Sequence, residues 1–192
     1  GGIIFYLGAW VWFLLSGFHY PFFFAGLSIV SVLSFVDDIH SLSPRLRLPL
    51  QFVGILLLLC QLVLLVCNGL CATSASFSYI IFFVVIGLIV CTGAMNVFNF
   101  MDGINGITGG YSLVVLTAIL YTLNSHTMQV GESLGHWISS LVTITLLADV
   151  VFCFFNFRPR AKCFAGDVGS VSIAFIILFS PAIPGHNELL LI

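Results

Sequence analysis

Charge is what this sequence has least of. Its 192 residues include 5 Lys and Arg and 7 Asp and Glu, 6% of the chain, where a soluble domain carries about a quarter. So few charged side chains cannot cover a water-facing surface, which excludes an ordinary soluble domain. The six cysteines show no metal-ligand spacing. Cys60, Cys67, Cys91 and Cys153 lie in or at the ends of apolar runs, where cysteine behaves as a small hydrophobe. Cys67 and Cys71 invite a disulfide reading, but spacing alone does not carry one. The opening "IIFYLGAWVWFLLSGF" lacks the basic start and small-residue cleavage site of a secretory leader. The chain also lacks an initiator Met, and its last residues, "ELLLI", read as the first turn of another apolar segment. A piece of a longer protein, truncated at both ends, is expected.

What the sequence has instead is apolar length. It is 60% hydrophobic, with a mean hydropathy of +1.21. A helix crossing the hydrocarbon core needs about 20 apolar residues. Seven spans are predicted at 3–18, 21–36, 48–67, 77–95, 107–123, 134–155 and 170–183. Turn chemistry separates them at "HYP", "SPR", "NG" and "PGHN". Open sheet edges are not tolerated in lipid. The expected fold is therefore all-α, one polytopic transmembrane helix bundle over 1–192, with no internal repeat or domain boundary.

The few charges are not scattered. Arg45 and Arg47 share one loop, and Arg158, Arg160 and Lys162 share another; these are all the Lys and Arg. Four spans separate the two loops, so both emerge on one face, and the stretch 96–106 emerges there too. By the positive-inside rule that face is cytoplasmic. Asp37, Asp38, Asp102 and Asp167 fall on the same side, whereas Asp149 lies inside the sixth span. Topology alone gathers carboxylates, cations and glycines at one membrane surface.

Three stretches there carry chemistry. In "SFVDDIHSLSPRLRLPLQ", adjacent Asp37 and Asp38 end an apolar helix at its negative pole. Either they are solvated stop or capping residues, or a divalent cation or Arg45 and Arg47 compensate them. In "NVFNFMDGINGITGG", Asn96, Asn99 and Asp102 recur every third residue on one stripe of a helix end. Interhelical hydrogen bonding would use such Asn residues. It would not require the glycines at 103, 106, 109 and 110, whose bare amides suit phosphate oxygens. In "NFRPRAKCFAGDVGS", a basic run leads to Phe164, which could stack on a flat ring, and then to Gly166 and Asp167. Asp167 either caps the following helix or holds Mg²⁺ beside a diphosphate bound by Arg158, Arg160 and Lys162.

At these residues the chain resembles the polyprenyl-phosphate N-acetylhexosamine-1-phosphate transferases. That family includes the undecaprenyl-phosphate GlcNAc-1-phosphate transferases and the phospho-N-acetylmuramoyl-pentapeptide transferases. Its blocks are matched in order by the Asp37–Asp38 pair with "LSPRLRLPLQ", by "NVFNFMDGINGITGG" and by "FAGDVGS", over roughly residues 30–175. Gly1-Gly2 resembles the end of the family's Pro-Arg-x-Gly-Gly loop. The resemblance implies that Asp37 and Asp38 handle a lipid phosphate, one of them as base, and gives Asp102 a place in the catalytic set. It implies Asp167 as ligand of a catalytic Mg²⁺, with Mn²⁺ as a substitute. Asn96, Asn99, Gly103, Asn105, Phe164 and Gly166 would line the uridine-diphosphate side, with Arg158, Arg160 and Lys162. Two features depart from the pattern: the family's second Asp in DGxDG is Asn105 here, and Asn156 stands eight residues before Phe164. The family's ten spans and His-rich loop are also not all present, and none of the five histidines matches that loop.

The expected activity is Mg²⁺-dependent transfer of a HexNAc-1-phosphate, GlcNAc preferred, from a UDP-sugar to undecaprenyl or another polyprenyl phosphate. UMP is released and a cell-envelope polysaccharide is begun at the cytoplasmic face of a bacterial plasma membrane. No nucleic-acid partner is expected, and a homodimer is an admissible assembly. The alternatives are the pentapeptide transferase of peptidoglycan synthesis and, from another class, a secondary transporter with broken helices. Asp149 is the one residue that favours the transporter. A non-catalytic scaffold would explain the spans but not the three polar loops.

Overall fold

The computed structural model describes residues 1–40, 42–69, 77–126, 132–158 and 161–180. Its helices are α1 (Ile3–Leu15), α2 (Pro21–Ile39), α3 (Pro44–Gly69), α4 (Phe77–Met101), α5 (Ile107–His126), α6 (Glu132–Asn156) and α7 (Gly166–Phe179). No strand occurs among the described residues. Five segments are long and apolar enough to cross a membrane: Pro21–Ile39, Arg45–Leu65, Ser78–Met101, Ile107–Ser125 and His136–Asn156; α1 and α7 are shorter apolar helices. The chain is a multi-pass, all-helical membrane protein.

Helix ends depart from the sequence reading where local chemistry overrides hydropathy. α1 stops at Leu15 rather than 18, because Gly17 and Phe18 turn left-handed at φ 69° and 66°. α3 begins at Pro44 rather than 48. Proline is well placed at a first helical position, where its missing N–H would have no partner anyway. α2 and α4 run past the expected 36 and 95 to Ile39 and Met101, and Asp37, Asp38, Asn96 and Asn99 stand on their helix ends, as their placement and spacing predict. α7 begins at Gly166, four residues before the expected 170. The Cys67–Cys71 pairing, Arg160 and the residues beyond Ser180 lie outside the described side chains.

α7 is the central post of the bundle. It is apolar on every side, and such a helix must be buried rather than laid on a surface. Each residue from Val168 to Ile177 is buried, and α1, α2, α4 and α5 pack around it. The α2–α3 pair is drawn close by small residues: a Cβ on Gly26 would lie 2.6 Å from the Gly54 carbonyl oxygen. Close backbone approach of this kind is a main source of packing energy between helices in lipid. At the end remote from the charges, the Trp12 indole N–H donates to the Trp137 carbonyl at 2.8 Å, and Phe23 stacks on Phe179 with centroids 4.0 Å apart.

α5 and α6 run antiparallel, Gly106 against Asn156 at one end and Asn124 against Ser139 at the other. The α2–α3, α4–α5 and α6–α7 connections therefore meet at a single end of the bundle. That is the arrangement the alternation of spans predicts.

Candidate active site

The first turn of a helix leaves four N–H groups without intrahelical acceptors. In α7 these needs are met from other helices. Asp38, in the last turn of α2, accepts the amides of Asp167 at 3.0 Å and Val168 at 3.2 Å. Asp102, just past α4, accepts those of Gly166 at 2.8 Å and Ala165 at 3.4 Å. Four successive amides, 165 to 168, thus end on two carboxylates from distant parts of the chain. The α7 cap residue, Ala165, offers no side chain for the task. Asp38 repels the negative end of its own helix, but it faces the positive end of α7.

Gly166 makes that approach possible. Its φ of +68° lies in the left-handed region, and a Cβ there would sit 2.9 Å from Asp38 Oδ2. Glycine alone meets both conditions without strain.

Asp37 points the other way. It accepts the Leu42 amide at 2.6 Å and the Arg47 guanidinium at 2.8 Å. The same Arg47 nitrogen lies 3.4 Å from the Asp167 carboxylate, so one cation bridges acids of α2 and α7. Of the compensations expected for the Asp37–Asp38 pair, Arg47 serves Asp37; Asp38 is met instead by the α7 amides, which the sequence does not suggest. Asp167 lies ahead of the apolar part of α7. Burial raises its carboxyl above the ordinary range, the Asn99 hydrogen bond and Arg47 draw it back, and Asp38 and Asp37 push it further up. Ser170 does not join the cap; its hydroxyl turns back to the Gly166 carbonyl at 2.9 Å.

Asn156 ties the remaining loops together. It is buried at the end of α6, accepts the Gly106 amide at 2.7 Å and donates to the Cys163 carbonyl at 2.8 Å. Its spacing from Phe164 departs from the family pattern, and the sequence reading gave it no role. An Asn closing a long apolar helix was the available signal. From α1, the Gly2 amide donates to the Ala165 carbonyl at 3.2 Å, packing Gly1-Gly2 under the same loop.

The other expected site residues divide. Asn99 joins the cluster through Asp167. Gly103, Asn105 and Phe164 are exposed on the loops beside it, and Asn96 is exposed one turn back on α4. Lys162 is exposed, with its amide donating to the Phe155 carbonyl at 3.1 Å. Arg158 does not face the carboxylates: its guanidinium lies over the Phe154 and Phe155 rings at 5.0 and 5.9 Å, a cation–π contact. Among the described residues, no three His, Cys, Asp or Glu side chains close around one point as a ready metal cage. A cation here would need ligand oxygens and water to complete its shell.

The chain is similar in sequence to known proteins. Over 93% of its length the chain is 28% identical to the undecaprenyl-phosphate alpha-N-acetylglucosaminyl 1-phosphate transferase of Escherichia coli O157:H7, covering 49% of that protein. It is 34% identical over 58% of its length to the phospho-N-acetylmuramoyl-pentapeptide-transferase of Dictyoglomus turgidum, covering 33% of it. To the enzyme of the same name from Petrotoga mobilis it is 30% identical over 55%, covering 29%. The chain thus spans half or less of the length of these relatives. No solved structure matches it significantly. The profile of glycosyl transferase family 4 matches residues 20–183, a stretch that includes the Asp37–Asp38 pair, the Asn99–Asp102 helix end and the Gly166–Asp167 turn, and the chain belongs to that family.

Proposed function

We propose that the protein transfers an N-acetylhexosamine-1-phosphate, GlcNAc-1-phosphate by preference, from a UDP-sugar to undecaprenyl or another polyprenyl phosphate. The reaction takes place at the cytoplasmic face of a bacterial plasma membrane, releases UMP and begins a cell-envelope polysaccharide. The observation that carries this reading is the closure of Asp38 and Asp102 on the amides of 165–168, with Asp37 and Asp167 joined through Arg47 beside them. The preference for GlcNAc follows the relatives: the E. coli GlcNAc-1-phosphate transferase aligns along 93% of the chain, the two pentapeptide enzymes along 58% and 55%.

In the reaction, an oxygen of the lipid phosphate bonds to the sugar-bearing phosphorus. The bond from that phosphorus to the UMP oxygen breaks, and UMP leaves with the electron pair. Such transfers need positioning and charge neutralisation more than covalent help. Asp37 and Asp38 handle the lipid phosphate from the end of α2. Below them a narrow crevice between α2, α3 and α7 has Val30, Leu33 and Val171 as walls and Ser34, Asp37, Arg47 and Gln51 as its polar lining. The exposed side chains of Asn105, Phe164 and Lys162 lie on the loops that would meet the nucleotide.

Mg²⁺, or Mn²⁺ in its place, fits this donor set. Four carboxylates gather with a single guanidinium paired to them among the described side chains. Mg²⁺ commonly takes one or two carboxylates and completes its shell with substrate phosphate and water. Asp167 would hold the ion, which when bound would neutralise charge on the diphosphate.

The test is UMP release by the full-length protein supplied with undecaprenyl phosphate and either UDP-GlcNAc or UDP-MurNAc-pentapeptide. Release from UDP-GlcNAc that disappears in Asp167→Ala supports the reading. Substrate flux in proteoliposomes without UMP would favour the transporter instead.

A further inference from the structure

The four acids of the candidate site are held in two different ways. Asp38 and Asp102 end on the backbone amides of residues 165–168, which belong to the α7 turn and cannot leave without undoing it. Asp37 and Asp167 end instead on a side chain. Arg47 Nη1 lies 2.8 Å from Asp37 Oδ2 and 3.4 Å from Asp167 Oδ2, one nitrogen shared by acids of two helices.

Arg47 is not drawn to this place by its own helix. It stands in the first turn of α3, the positive end of the helix dipole, where a cation is disfavoured. The other polar side chains lining the crevice beside it, Ser34 and Gln51, are neutral. The carboxylates on α2 and α7 therefore hold it. Asp37 gives its other oxygen to the Leu42 amide, and Asp167 is also bonded by Asn99. Among the described residues, no second cation pairs with either acid.

The arrangement is also open to exchange. The Arg47 side chain is 36% exposed and that of Asp167 28%, so an ion can reach these oxygens and the long arginine stem can turn toward water. A backbone amide cannot be traded for another partner, whereas a flexible side chain can. A guanidinium and a divalent cation repel each other and need the same lone pairs, and Mg²⁺ demands close, near-octahedral oxygen ligation. With no cation at all, Asp37 and Asp167 would repel each other.

We propose that Arg47 is the placeholder of a divalent-cation site. It holds Asp37 and Asp167 together until an ion takes their oxygens, and guanidinium and ion exclude each other. That an ion works here rests on the transferase reading. Mutual exclusion does not, and it is read by binding rather than by turnover.

The test is Mn²⁺ binding to the full-length protein in detergent without substrate, followed by the electron paramagnetic resonance of the free ion. Wild type is compared with Arg47→Gln, Arg47→Lys and Asp167→Ala. Coupling between two ligands commonly changes affinity 5–150-fold, and Arg47→Gln is expected to bind Mn²⁺ about tenfold more tightly than wild type. Arg47→Lys, which keeps the charge, should stay within about threefold of wild type, and Asp167→Ala should lose the site. An arginine that serves only to brace α2 against α7 predicts the opposite, since loosening that contact would weaken binding. Unchanged, weaker or absent binding in Arg47→Gln overturns the proposal, as does Mn²⁺ binding that survives Asp167→Ala.

A second arm uses the wild type alone. Phenylglyoxal modifies exposed guanidinium groups, and peptide mass spectrometry reads Arg47 separately from the exposed Arg45. Released from 36% exposure to full exposure, Arg47 should react about threefold faster at saturating Mn²⁺, with Arg45 unchanged. An unchanged or slower reaction at Arg47 overturns the proposal. If Mn²⁺ and Arg47 exchange in a wild type that releases no UMP, the transferase reading fails while the placeholder role stands.

Discussion

The carboxylate of Asp38 receives the backbone amide of Asp167 at 3.0 Å, across 129 residues of chain. A residue that ends one membrane helix therefore starts another. Asp102 does the same from a third helix end, and the turn carrying Asp167 is held from both sides. A carboxylate accepting backbone amides makes charge-assisted hydrogen bonds, about twice as strong as neutral ones. The Asp167 side chain is left facing Arg47 and Asn99.

Asp102→Ala removes the acceptor for the Gly166 and Ala165 amides. Loss of a helix cap typically costs about 1 kcal/mol. The variant is expected to melt a few degrees lower and to lose transfer activity well beyond what that destabilisation explains. Thermal melting alongside UMP release in the full-length protein checks this, and Asp102→Asn, which keeps one acceptor oxygen, falls between.

Gly166→Ala tests the left-handed turn. The new methyl meets Asp38 Oδ2 at 2.9 Å and the φ of +68° disfavours any side chain, a combination expected to cost about 1–3 kcal/mol. Gly103→Ala, at an exposed glycine whose Cβ would meet only the Phe100 carbonyl at 3.9 Å, is the control and should melt within about 1 °C of wild type.

Asn156→Leu deprives both the Gly106 amide and the Cys163 carbonyl of partners. Leaving buried polar groups unsatisfied costs about 1–3 kcal/mol each. The expected kinetic signature is a raised KM for the sugar nucleotide together with a lower kcat, because the two loops lose their common anchor. An unchanged KM would mean that these loops do not shape the donor site.

Arg47→Ala separates charge from shape. The pair with Asp37 is only partly buried, the arginine side chain being 36% exposed, so its contribution to stability is expected to be about 1 kcal/mol or less. Activity should fall much further, and Arg47→Lys should restore part of it. Steady-state kinetics on the two variants, at equal folded fraction, make the comparison.

Much of this fold was legible in the sequence, for a physical reason. Apolar runs near bilayer length, broken by Pro, Gly and Asn, left few ways to thread the chain, and alternation of spans forced Asp38, Asp102 and Asp167 to one end. What hydropathy could not convey was the use made of them. That Asp38 and Asp102 cap α7 depends on where two other helices stop, and it is why α7 starts at Gly166 rather than Ser170. Sequence proximity groups Arg158 with the diphosphate-binding cations, yet its guanidinium lies over Phe154 and Phe155. Asn156 falls just past the expected span 134–155 with no role in view, because the loops it joins, 50 and 7 residues away, come together only in three dimensions.

The most direct measurement is UMP release from UDP-GlcNAc by the purified full-length protein with undecaprenyl phosphate and Mg²⁺, comparing wild type with Asp167→Ala. The account predicts release by the wild type, and a loss of at least about a thousandfold in the variant at an unchanged melting temperature. Wild-type rates in Asp167→Ala would contradict it.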